Sequence, residues 1–74
     1  MKELINHDII IDFKVPLLLQ NTMLDAEEAA KTDRDLYETY QDAIDMCCKM
    51  YYTEGILTKR QWDLIMQRYP WPED

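Results

Sequence analysis

The sequence predicts an all-α domain: three helices, a helical hairpin in the C-terminal half, and an extended N-terminal arm with the pattern of a strand. Three observations carry this expectation. One glycine and three prolines in 74 residues leave little material for β-hairpin turns or long loops. Two segments repeat apolar side chains at helical spacing, and one of them opens on a capping-box signature. Hydrophobic residues make up 47% of the chain, which is enough to drive collapse and sets it apart from a disordered segment. The length points to one domain, with residues 1–15 as arm, 16–69 as helices and 70–74 as a Pro/Trp tail. A core this small contributes only about 3–5 kcal/mol of net stability, so a partner or self-association would matter.

In the arm, Ile9, Ile11, Phe13 and Val15 alternate with Ile10, Asp12 and Lys14, the period-two pattern of a half-buried strand. No other segment reads as a strand. The arm is therefore expected to cover the helices, to pair with its own copy or to pair with a partner chain. A short helix over residues 2–12 is the competing reading.

The first helix is expected over 16–31. Pro16 suits its first position, and Leu18, Leu19, Thr22, Ala26, Ala29 and Ala30 form one face. Leu17 and Leu24 stand one heptad apart on another face, to be covered by the arm or by a second chain. The second helix is expected over 33–54. Leu36, Tyr40, Ala43, Ile44, Cys47 and Tyr51 fall within roughly 100° of arc, flanked by Tyr37 and Met50. Thr32 is the expected N-cap, and Gly55 the expected stop.

The third helix, 58–69, has the sharpest local signal. Thr58 and Gln61 form the capping box, Leu57 and Trp62 hold the staple positions, and Pro70 ends the helix. Trp62, Ile65, Met66 and Tyr69 share one face. The short connection at Gly55 predicts that the second and third helices pack as an antiparallel hairpin.

Charge narrows the function classes. Fifteen acids against eight bases give −7, and residues 25–45 hold eight of those acids against Lys31 and Arg34. Direct binding to nucleic acid or to an anionic membrane needs a basic footprint that this chain lacks. No apolar run reaches about 18 residues, and Asp12 and Lys14 interrupt the N-terminal apolar stretch. Neither a membrane span nor a signal peptide is expected, and the chain reads as cytoplasmic.

Catalytic groups are scarce. The chain has no serine, its one glycine rules out a glycine-rich phosphate cradle, and His7 is the only histidine to serve a cysteine nucleophile. Cys47 and Cys48 point about 100° apart on a helix, so a bond between them would be strained. Two cysteines fall short of the four ligands of structural zinc, and His7, Asp8 and Asp12 match no closed metal site. The cysteines are expected to fill the core, with Cys48, the more exposed on the wheel, as the one to carry any reactive role. No enzyme activity, cofactor or metal is expected.

What remains is binding. Asp35, Glu38, Asp42 and Asp45 are spaced 3, 4 and 3 apart along the second helix, a row about 15 Å long. Such a row is a solvated face, a contact for a basic protein surface, or a sparse imitation of a phosphate rail that blocks a nucleic-acid-binding groove. Leu17, Leu24, Leu64 and Trp71 are the apolar candidates for a partner or a homodimer. The Pro70–Trp71–Pro72 tail is expected to be extended, with Trp71 either folded back over Leu64 or anchoring a partner. The leading expectation is a small acidic adaptor, inhibitor or regulator that binds another protein with a basic surface. A structural homodimer with no separate ligand is the further alternative.

Overall fold

A computed structural model of the chain describes residues 4–71; residues 1–3 of the arm and 72–74 of the tail lie outside it. The described residues form three helices: α1 (Leu17–Thr32), α2 (Arg34–Thr53) and α3 (Lys59–Arg68). They contain no strand, and none of these helices is long and apolar enough to cross a membrane.

Local chemistry sets each boundary. Pro16 stands one place earlier than expected, as the cap of α1, where its carbonyl accepts the first helical bond from Gln20 N–H at 2.9 Å. The junction of α1 and α2 is a single residue. Asp33 N–H closes α1 on the Ala29 carbonyl at 2.8 Å, while its Oδ1 caps α2 by accepting from Leu36 N–H at 3.2 Å. Asp33 thus takes the capping role expected of Thr32. Thr32 is instead the last residue of α1, with its hydroxyl donating to the Glu28 carbonyl. A carboxylate at this position also suits the positive end of α2.

Gly55 ends α2 at φ 79°, a left-handed conformation that a residue with a Cβ adopts at a cost. Ile56 N–H donates to the Tyr51 carbonyl and Gly55 N–H to that of Tyr52, the paired bonds of a Schellman motif. The capping box of α3 is complete: Gln61 N–H donates to Thr58 Oγ1 at 3.1 Å, and Thr58 N–H to Gln61 Oε1 at 2.9 Å. Leu57 is buried just outside this cap and Trp62 half-buried just inside it.

The core comprises Ile5, Leu19, Met23, Ala26, Ala29, Tyr37, Ile44, Cys48, Leu57, Ile65 and Tyr69. The α1–α2 pair is the more extensive contact, so the second helix packs chiefly on the first and less on α3. Two helix faces differ from expectation. On α1, Leu19, Met23, Ala26 and Ala29 are buried, while Leu18 faces solvent. On α2 the buried residues are Tyr37, Gln41, Ile44 and Cys48, so the buried face is turned by about 80° from the expected arc at 100° per residue. Leu36 and Met50 are left exposed, and Ala43 half-buried.

The C-terminal end of α3 explains the turn. Carbonyls at and just past a helix end have no intrahelical donors and must find them elsewhere. Tyr37 Oη donates to the Pro70 carbonyl at 2.9 Å, and Gln41 Nε2 to the Tyr69 carbonyl at 3.2 Å. Asn6 N–H donates to the Arg68 carbonyl at 2.9 Å. Three consecutive carbonyls are thereby satisfied by α2 and the arm. The tyrosine and glutamine must face inward to reach them, which rotates α2.

Among the described arm residues there is no helix. From Ile9 to Val15 half-buried and exposed positions alternate strictly, so the period of two is present without a ladder. Leu4, Ile11, Phe13 and Val15 pack on the core, and Arg68 Nη1 holds the Ile9 carbonyl at 2.8 Å.

Candidate protein-binding surfaces

The rotation of α2 redistributes its outward groups. Of the acidic row, Asp35 and Asp42 are exposed, while Glu38 and Asp45 are half-buried beside the core face. Asp35, Asp42 and the exposed Lys49 follow one another at seven-residue intervals along one line of the helix. Next to that line runs an apolar stripe of Leu36, Ala43, Met46 and Met50. Met46 is 66% exposed, and Leu36 and Met50 are each 42% exposed. Thr39 and Thr53 share this side of the helix. Their hydroxyls donate to the Asp35 and Lys49 carbonyls one turn back, so they add no unpaired hydroxyl to the stripe. The arc read from the sequence as core is thus, along one edge, a solvent-facing seam with a charged border.

The other apolar candidates do not gather in one place. Leu17 and Leu24 are 71% and 58% exposed on α1, and Trp71 is 53% exposed beyond α3, whereas Leu64 is half-buried on α3. Leu24 lines an open cleft of about 580 Å³ between the arm, α1 and the end of α3. Leu17, Leu64 and Trp71 do not line it.

Polar groups at the end of that cleft are engaged with one another. Tyr69 Oη donates to Glu27 Oε2 at 2.6 Å, and Arg68 reaches Glu27 Oε1 at 3.6 Å and Tyr69 Oη at 3.3 Å. Burial, reinforced by the bond to Glu27, raises the Tyr69 hydroxyl well above its ordinary value and keeps it protonated. This cluster ties α1 to α3, and through Arg68 to the arm. It is a clasp between three elements of the fold.

The chemistry available to the cysteines is limited. Contrary to the wheel, Cys48 is completely buried and Cys47 is the more accessible of the two. Burial pushes the Cys48 thiol up to about 12, with Cys47 and Asp45 adding to the shift, which suppresses the thiolate that any nucleophile or redox role requires. Among the described residues, no group of three or more His, Cys, Asp or Glu is gathered closely enough to hold a metal ion.

Compared with protein-family models, curated proteins and solved structures, the chain matches none. Its function must be argued from its own surfaces. The residues missed by sequence reasoning are Gln41, Glu27, Arg68 and Met46. Gln41 could have been found from the 4, 3, 4 spacing of Tyr37, Gln41, Ile44 and Cys48, a helical face that a polarity ranking discounts. Nothing local marks Glu27 and Arg68, which lie 41 positions apart and meet only in the fold.

Proposed function

We propose that this chain is a small non-enzymatic module that acts by binding another protein with a basic surface. One observation carries the reading: the apolar stripe of α2 faces solvent directly beside Asp35 and Asp42. A contiguous apolar seam with a polar border is the ordinary anatomy of a protein interface. The burial of Cys48 supports the non-enzymatic half of the proposal. The division of the acidic row, with two of its four residues half-buried, favours a mixed apolar and acidic contact over imitation of a phosphate rail.

The test is capture by the tagged chain from nuclease-treated lysate of its source cells, using wild type, Met46→Lys and the Asp35→Lys/Asp42→Lys pair. The expected result is a stoichiometric protein partner, weakened by salt and lost with either variant. Recovery of the chain alone, or of a partner indifferent to both variants, would overturn the assignment to α2. A second reading rests on the exposure of Leu17 and Leu24, a homodimer through α1. Sedimentation should then give a dimer that Leu24→Lys converts to monomer, and a wild-type monomer at high concentration would end that reading.

A further inference from the structure

We infer that the occupant of the α2 seam is an amphipathic helix with a basic flank, laid along Leu36 to Met50. This deepens the proposed function and rests on it. The seam has the periodicity of helix-to-helix packing: Leu36, Ala43 and Met50 recur every seven residues, and Thr39, Met46 and Thr53 recur every seven between them. Ala43 lies midway and permits close approach of a second helix axis. From Leu36 to Met50 the stretch covers 15 residues, about 21 Å at 1.5 Å per step, or close to four turns. An extended strand would find no edge to pair with, since the described residues contain no strand.

Charge selects the sequence of that helix. The line bordering the seam reads Asp35, Asp42, Lys49, so the matching flank of the occupant carries two bases followed by an acid. A second copy of this chain fits less well. Laid antiparallel, its Lys49 meets Asp35 at both ends, but Asp42 meets its own counterpart at the centre. It also brings together two chains that each carry −7. A helix with a base at the central position removes the clash and the long-range repulsion together. The methionines suit such an occupant, because their unbranched thioether side chains adapt to different apolar ridges.

The probe is a synthetic peptide of about 18 residues with leucines at heptad a and d positions and lysines on the flank that faces Asp35 and Asp42, long enough to cover the seam. It is compared with the same peptide carrying glutamates on that flank. Titration of the full chain, followed by calorimetry and by amide chemical shifts, should show the lysine peptide binding more tightly by at least about tenfold. The shifts should concentrate on residues 36–50. Asp42→Lys should weaken the lysine peptide and strengthen the glutamate peptide, while Met46→Lys weakens both and Leu17→Lys changes neither.

Equal binding of the two peptides, or shifts centred on α1 or the cleft, would overturn the inference. So would a free protein already dimeric through this seam, recognised by its conversion to monomer with Met46→Lys. Failure of the peptide while lysate capture remains sensitive to Met46→Lys and to the Asp35→Lys/Asp42→Lys pair would reject the basic helix and leave the binding module standing. Loss of both would reject the module.

Discussion

Cys47 and Cys48 are neighbours in sequence and strangers in environment. One is partly accessible at the rim of the seam, and the other is completely buried in the core. Sub-stoichiometric alkylation of the native protein should therefore label Cys47 first, with Cys48 reacting only through opening of the fold; peptide mass mapping reads the ratio. Gly55 gives a second residue-scale expectation. No atom stands within 4 Å of where a Cβ would go, so a substitution there meets only the cost of its positive φ. Gly55→Ala should cost about 1 kcal/mol and Gly55→Asn less, since asparagine tolerates the left-handed region. Urea denaturation of the two variants checks the order.

At the scale of elements, the helices follow from their caps and periods, while the direction each faces does not. On α2 the apolar residues cover far more than one face. Leu36, Ala43, Met46 and Met50 occupy one edge, Tyr40, Cys47 and Tyr51 the middle, and Tyr37, Ile44 and Cys48 the other edge. Ranking by polarity centres the core on the middle. The structure centres it on the edge that holds Tyr37 and Gln41, because those two side chains hold the Pro70 and Tyr69 carbonyls just past the end of α3. Stability measurements separate the alternatives. Ile44→Ala should cost about 2–4 kcal/mol, most of the stability of so small a domain, whereas Leu36→Ala should cost less than about 1 kcal/mol. Equal losses at the two positions would contradict the observed rotation. Tyr37→Phe should cost about 1 kcal/mol through loss of its bond to the exposed Pro70 carbonyl.

Across the whole molecule, residues 68–70 are the meeting point. Their carbonyls accept from the arm and from α2, and the side chains of Arg68 and Tyr69 reach Glu27 on α1. Two of the buried acids at the centre of the fold have a consequence for pH. Burial raises Tyr37 from 10.0 to about 12, and burial first, then Cys47 and Asp45, raises Cys48 from 9.0 to about 12. Each is neutral when protonated, and the unfolded chain loses these protons at lower pH than the folded one. Their contribution is fully present below pH 9.0 and is lost as pH rises towards about 12. Tyr69 shifts in the same direction. The urea midpoint should therefore hold near pH 8 and fall by about pH 11, with Tyr37→Phe flattening the decline.

The three helices, the α3 capping box and the Gly55 stop were all legible in the chain itself, because each depends on residues within a few positions of one another. Capping bonds span three residues and a helical face repeats within four. The orientation of α2, the burial of Cys48, the clasp of Glu27 with Arg68 and Tyr69, and the exposure of the Leu36–Met50 edge belong to the tertiary structure alone. These depend on which open carbonyls and apolar faces meet across tens of residues. Local periodicity states how many apolar positions a helix offers, and only the packed neighbours decide which of them are covered and which are left exposed.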